Sequence, residues 1–200
     1  MERREYSAGM VKMSFWFSEF RKVIQLLNEG RSWDEIKRLS LDENLFGAPT
    51  NARAKQILTT VSDRVKSIDE GYYRLFEYSD ISTQKIIALI SIMNTDTLFF
   101  DFVYEVYREK LIIGSDALTD SDLGVFFKNK QVQSDKVAGW TDYTLKRLGA
   151  CYKTLLMEAG MIDRALGERV LLKPILDIGL ERRLKDTGME LVLKALTGVR

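Results

Sequence analysis

Residues 141–175 constrain the fold more than any other stretch of this sequence. Apolar residues recur there at spacings of three and four, the period of an amphipathic α-helix. They are Leu145, Leu148, Tyr152, Leu155 and Ala159. Gly160 follows, and glycine readily adopts the left-handed conformation that ends a helix. Short apolar segments beginning at Met161 and Val170 then flank residues 165–168, which suit a turn. The sequence therefore predicts a long helix followed by a small β-hairpin.

The helix carries cationic side chains away from its apolar positions. These are Lys146, Arg147 and Lys153. Two shorter helical segments precede it and begin near Thr119 and Ser134, residue types that cap helix N-termini. Thr141 can cap the long helix in the same way. Helix, helix, basic helix and hairpin are, in this order, the elements of a winged helix-turn-helix. We therefore expect residues 116–200 to form a winged-helix-like unit with helices after the hairpin.

Residues 1–70 predict a three-helix unit similar to a helix-turn-helix. Ser14, Ser32 and Thr50 can cap its helices. The link over residues 42–49 is longer than the usual turn of that motif. Near its start the third helix carries amide and basic side chains that suit phosphate and base-edge contacts: Asn51, Arg53 and Lys55. A plain three-helix packing unit with a solvated polar face would show the same pattern.

Residues 71–115 predict a helical core. A helix over residues 82–93, begun by Ser82 or Thr83, is apolar around most of its circumference, which indicates burial on several sides. A second helix over residues 97–111 carries an aromatic stripe. An aromatic stripe at helical spacing favours a core position over a base-stacking platform.

The net charge of +1 at pH 7 hides an uneven distribution. Residues 71–122 carry 4 Lys/Arg and 9 Asp/Glu, whereas residues 123–200 carry 14 and 9, and residues 1–70 carry 12 and 11. The two ends of the chain can therefore meet phosphates better than its acidic middle can. Ordinary solvated faces would give the same counts.

The residues of an active site are not evident. The chain has no histidine and a single cysteine, Cys151, which lies beside the apolar face of the long helix. It lacks a Walker-type phosphate loop, a nucleotide-binding glycine fingerprint and a serine-elbow motif. The paired acids Asp120 and Asp122 suit a helix cap. We therefore expect a non-enzymatic protein with no catalytic residues, no metal site and no cofactor.

Apolar runs and cysteine usage indicate a cytoplasmic protein. The longest apolar run, over residues 86–93, is far shorter than the roughly 20 residues that span a bilayer. The N-terminal MERREYSAGM lacks the apolar run of a secretory signal. A lone cysteine needs no oxidising compartment. We expect no membrane partner.

Four segments of the sequence form a recognisable set: GRSWDEIKRLSLDENLFGAPTNARAKQIL, LFFDFVYEVYREKL, TDYTLKRLGACYKTLLMEAGMI and LLKPIL. Together they resemble the BrxA family of BREX (bacteriophage exclusion) defence systems. The resemblance runs from about Ser14 to Leu184. It implies a mainly helical fold similar to the NusB antitermination factor and to helix-turn-helix DNA binders. It also implies phage restriction beside other BREX proteins: a DNA methyltransferase, an AAA-type ATPase and a phosphatase-like component. The family offers no catalytic signature and no fixed DNA-contact motif.

Three hypotheses follow. The first is a sequence-tolerant binder of double-stranded DNA that contacts mainly phosphates. Its candidate contacts, chosen from helix geometry, are Asn51, Arg53, Lys55, Tyr143, Lys146, Arg147 and Lys153. The second is a protein-interaction module whose acidic middle and aromatic helix dock another BREX protein. The third is an RNA binder of the antitermination type, which ranks last because it needs exposed aromatic side chains.

Overall fold

The computed structural model describes residues 3–165 and 168–199, and helices make up most of them. The N-terminal unit contains a 3₁₀ turn (Gly9–Lys12), α1 (Phe17–Asn28), α2 (Trp33–Asp42) and α3 (Asn51–Lys66). The middle contains α4 (Glu70–Tyr78), α5 (Ile81–Thr95), α6 (Thr97–Phe102), a π-helical turn (Val103–Tyr107) and α7 (Arg108–Ile113). The C-terminal unit contains α8 (Asp120–Gln133), α9 (Asp135–Ala138), α10 (Asp142–Glu158), β1 (Ile162–Ala165), β2 (Glu168–Leu171), α11 (Ile178–Asp186) and α12 (Glu190–Thr197). The predicted mainly helical class is confirmed.

The hairpin after α10 forms as predicted. Strands β1 and β2 pair antiparallel, with Ile162 opposite Leu171. The predicted turn over residues 165–168 includes residues 166 and 167, which lie outside the described residues. A single bridge from Ala117 to Val170 places the segment before α8 against β2. The hairpin is thereby fastened to both ends of the unit that contains α8, α9 and α10.

Five of the predicted helix caps are confirmed. The side chains of Ser32, Thr50, Thr119, Ser134 and Thr141 each accept a backbone N–H of the helix that follows. Gly160 has φ +76°, the left-handed conformation expected after the end of α10.

Two predicted helix starts are wrong. Helix α1 begins after Trp16 rather than at Ser14, whose carbonyl oxygen instead accepts a hydrogen bond from Arg64. Helix α5 is capped by Asp80, not by Ser82 or Thr83, because the Asp80 carboxylate accepts the backbone N–H of Thr83 at 2.7 Å.

The middle of the chain departs from the prediction in two further places. Helix α4 was not predicted; it is short, and its fully buried side chains are Tyr72 and Phe76. The helix expected over residues 97–111 is interrupted by the π-helical turn Val103–Tyr107. One π-turn shifts the register of a helix, so the apolar spacing of the sequence gives little warning of it.

One hydrophobic core joins the N-terminal, middle and C-terminal units. Helix α5 is buried over most of its length, as its apolar sequence indicated. The aromatic stripe is also buried: the rings of Phe99 and Phe102 lie 5.1 and 5.3 Å from the ring of Tyr152, which comes from α10. Among the described residues, no single helix is long and apolar enough to cross a membrane, and the apolar pair formed by α5 and residues 97–113 is bent by 115°.

A buried ionic cluster fastens the start of the chain to the core. Lys130 of α8 is 2% exposed, and its Nζ lies 3.0 Å from Asp101 and 2.6 Å from Glu105. Asp101 also accepts hydrogen bonds from the Tyr6 hydroxyl at 2.6 Å and from the Arg3 guanidinium at 2.9 Å. We call residues 3–13 the N-terminal segment. These hydrogen bonds hold the beginning of this segment against the core.

Candidate nucleic-acid interface

The N-terminal segment lies between the two helices that the sequence predicts to contact DNA. On one side, Arg147 of α10 donates from Nη2 to the carbonyl oxygen of Val11 at 3.2 Å. On the other side, Gln56 of α3 donates from Nε2 to the carbonyl oxygen of Lys12 at 3.1 Å. The start of α3 and the first half of α10 are therefore parts of one surface, although almost 100 residues separate them in the sequence.

The α3 side of this surface holds three of the predicted contacts. Arg53 donates from Nη1 to Oε1 of Gln56 at 2.8 Å, and its guanidinium carbon lies 4.9 Å from the centroid of the Trp16 ring. Asn51 and Lys55 are exposed, one turn apart on the outer face of the helix.

The α10 side holds three more predicted contacts near the start of the helix. Tyr143 is 70% exposed, and Lys146 and Arg147 are exposed as well. The guanidinium carbon of Arg147 lies 5.8 Å from the centroid of the Tyr143 ring, a contact that limits where the cation can point. Thr141 caps the first turn, so this cationic stretch stands at a well-formed helix start.

Lys153 occupies a different environment from the other candidates. Its Nζ pairs with the Asp120 carboxylate at 2.5 Å, and the same carboxylate takes Arg169 at 3.1 Å. The hydrogen bond from Lys153 lowers the pKa of Asp120, since it favours the ionised carboxylate. The side chain of Lys153 is only 15% exposed. Its charge is largely compensated within the protein, so it adds less than the others to an attraction for phosphates.

Lys12 belongs to the surface but was missed by sequence reasoning. It ends the 3₁₀ turn and is exposed between α3 and α10. Its neighbours in the sequence show no helical periodicity, and only the tertiary structure places its backbone between Gln56 of α3 and Arg147 of α10. Its place on this surface depends on how the N-terminal segment packs against the two helices. Local sequence patterns do not show that packing.

The cations of this surface lack acidic partners. Among residues 3–165 and 168–199, no carboxylate lies within ion-pair distance of the side chains that we call the cationic surface: Lys12, Arg53, Lys55, Lys146 and Arg147. Phosphate oxygens are the natural partners of such cations, because Arg and Lys donate to them through charge-assisted hydrogen bonds. In the same part of the chain, no group of three or more acidic or cysteine side chains is arranged to hold a metal ion.

A groove of about 430 Å³ runs beside the cationic surface, between α8 and α10. Leu123, Phe127 and Leu145 give it an apolar lining. Its charged lining residues are of both signs: Lys128, Lys146 and Lys153, and Asp120 and Asp142. The helices approach closely because Gly149 faces Leu123, where an added Cβ would lie 2.9 Å from a methyl group. This close packing fixes the orientation of α10 and of the cations it carries.

A family model and a curated relative both identify one family. The family model of BrxA matches residues 4–188. The BREX protein BrxA of Bacillus cereus (strain H3081.97) is 37% identical over 198 residues, which cover 99% of this chain and 99% of that protein. The crystal structure of an uncharacterized protein from Magnetospirillum magneticum is similar with a TM-score of 0.80 and 18% sequence identity, over 98% of this chain and 100% of that one. At that identity the structural likeness supports the fold alone.

Proposed function

The chain belongs to the BrxA family of BREX phage-defence proteins, and from this premise we propose that it is a non-enzymatic component that binds double-stranded DNA mainly through backbone phosphates. The observation that carries the proposal is the cationic surface. It joins the starts of two helices through the N-terminal segment, and its cations have no acidic partners within the described residues. Phosphate contacts position a protein on a duplex without reading its sequence, so weak sequence preference is expected.

The C-terminal unit supports the proposal through the order of its elements. Helices α8 and α9 precede α10, and the hairpin follows it. In winged helix-turn-helix proteins the helix in the position of α10 enters the major groove with its N-terminal residues. Tyr143, Lys146 and Arg147 occupy that part of α10. The exposed Asn51 at the start of α3 is a second side chain able to reach a phosphate or a base edge.

A role in contacting another BREX protein is the second candidate. The aromatic helix α6 does not favour it, because its side chains lie in the core. Ile175 and Ile178, by contrast, are 96% and 78% exposed just before α11 and at its start. Exposed apolar side chains of this size are typical of protein contacts. The methyltransferase, the ATPase and the phosphatase-like component are the partners we propose to test for this surface.

RNA binding ranks behind both. Single-stranded RNA is held by bases stacked on exposed aromatic rings. Among the large apolar and aromatic side chains that the structure describes as exposed, only Tyr78 and Tyr143 are aromatic. They lie on α4 and α10 respectively, and two separate rings make a poor platform for successive bases.

The proposal is tested by fluorescence anisotropy with labelled duplex DNA, single-stranded DNA and RNA of one sequence, each over a series of salt concentrations. We expect duplex DNA to bind best, with a logarithm of affinity that falls linearly with the logarithm of salt concentration. Absence of duplex binding at low salt would refute the proposal. Tighter binding of single-stranded RNA than of duplex DNA would favour the antitermination-type alternative instead.

A further inference from the structure

Trp16 has a backbone conformation that a tryptophan rarely adopts. Its φ of 51° and ψ of 45° lie in the left-handed region, where within the described residues Asn44 is the only other residue besides glycines. A bulky side chain persists there only when its surroundings hold it, and such positions cluster at functional sites. Trp16 is 8% exposed and immediately precedes α1.

Arg64 holds the chain in this conformation. Its guanidinium Nη1 donates to the carbonyl oxygens of Ser14 at 2.9 Å and of Phe15 at 2.7 Å, the two residues before Trp16. Its guanidinium carbon lies 5.6 Å from the centroid of the Trp16 ring. The side chain of Arg64 is almost fully buried, which lowers its pKa to about 10, so it stays cationic at neutral pH. Arg64 therefore holds the backbone before Trp16 and contacts the Trp16 ring from the interior of the protein.

Arg53 meets the same ring from the surface. It precedes Arg64 by 11 residues, about three helical turns, so both arginines project from one face of α3. The Arg53 guanidinium carbon is 4.9 Å from the ring centroid, and Nη1 donates to Gln56. Within the described part of the chain, the other nitrogens of this guanidinium have no hydrogen-bond partner. They are available to an anion while the ring limits the motion of the cation.

We propose that Trp16 is a positioning residue that presents the guanidinium of Arg53 to a phosphodiester group of duplex DNA. The inference rests on the proposed function and specifies how one contact of the cationic surface is made. A free arginine loses rotational freedom when it binds a phosphate, and a guanidinium already stacked on a ring loses less. The strained turn at Trp16 places the ring where it does this.

The test is a mutant cycle on the full-length chain, with duplex affinity measured by anisotropy across a salt series. Arg53→Ala should weaken binding and reduce the slope of log affinity against log salt by about 0.9, the contribution of one phosphate contact. Trp16→Leu should weaken binding by about two- to tenfold, the range expected for ordering one side chain. In the Arg53→Ala background Trp16→Leu should have no further effect. Equal losses in both backgrounds would overturn the positioning role.

Two further variants keep the inference testable if Trp16→Leu fails to fold. Arg53→Lys retains the charge but cannot stack a planar guanidinium, so we expect weaker binding with little change in the salt slope; wild-type affinity for this variant would overturn the inference. Trp33→Leu is the matched control, because the Trp33 ring also contacts a cation: the Nζ of Lys66, near the other end of α3, lies 4.6 Å from the ring centroid. It should leave duplex affinity unchanged, and a loss equal to that of Trp16→Leu would overturn the inference. Failure of the wild-type protein to bind duplex DNA would instead refute the proposed function.

Discussion

Neutralising the first half of α10 should remove a calculable part of the salt dependence of DNA binding. If each of the five cations of the cationic surface contacts one phosphate, the slope of log affinity against log salt is about −4.5. Affinity then falls about 500-fold between 50 and 200 mM salt. In the double variant Lys146→Gln, Arg147→Gln three cations remain, so the slope should be about −2.7 and the loss about 40-fold.

The matched control is Lys153→Gln, which removes the same charge from the same helix. Because Lys153 is paired with Asp120 at 2.5 Å, its loss should change the slope far less than Lys146→Gln does. Anisotropy with one labelled duplex at several salt concentrations measures all the slopes, and circular dichroism confirms folding. A double variant with the wild-type slope, or a control that changes the slope as much as Lys146→Gln, would refute the assignment of the phosphate contacts.

Three predictions concern stability and are measured by urea unfolding. Asp101→Ala should destabilise the protein by about 1–3 kcal/mol, because it removes the buried one of the two carboxylates that pair with Lys130 and the acceptor of the Tyr6 hydroxyl; a loss below about 1 kcal/mol would contradict this. Gly149→Ala should lower the free energy of unfolding by about 1–3 kcal/mol, because the added methyl group meets Leu123. Gly124→Ala has open space around it in α8 and should raise the free energy of unfolding by up to about 1 kcal/mol. Equal effects of the two variants would refute the packing argument. Burial raises the pKa of Asp96 from 3.8 to about 6, so the folded state holds this proton more tightly and stability should fall as pH rises from about 4 to about 6. Asp96→Asn keeps a side-chain oxygen that can accept the backbone N–H of Phe99 at the start of α6, and it should flatten this dependence; an unchanged pH profile would contradict the assignment.

Local sequence signals predicted much of the fold. The apolar period of α10, the caps at Thr50 and Thr141 and the glycine at Gly160 are all properties of a few neighbouring residues, and the structure confirms them. The prediction that Ser14 caps the first helix is wrong. The carbonyl oxygen of Ser14 accepts a hydrogen bond from Arg64, 50 residues away, and the helix begins after Trp16 instead. Competition of this kind between a local cap and a distant partner leaves no trace in the local pattern.

The sequence predicts the two helices that carry the candidate site, but it does not predict that they meet on one surface. Periodicity identifies the outward residues of α3 and α10, and the structure places Arg53 and Arg147 on one surface. The contribution of Lys12 and the role proposed for Trp16 depend on the course of the N-terminal segment. That course is set by contacts such as the hydrogen bond from Tyr6 to Asp101, which joins residues 95 positions apart.

Counting charges by region of the sequence does not predict where unpaired positive charge lies on the folded protein. The acidic middle carries a net charge of −5 in the sequence, yet several of its carboxylates are paired in the fold. Asp101 and Glu105 share Lys130, and Asp120 takes both Lys153 and Arg169. These three cations come from the C-terminal region, so part of its positive excess is used inside the protein. Five cations without such partners, those of the cationic surface, lie where α3, the N-terminal segment and α10 meet. DNA affinity should therefore follow the number of unpaired cations on that surface rather than the net charge of the chain, because a charge already compensated at short range releases few counterions from a duplex.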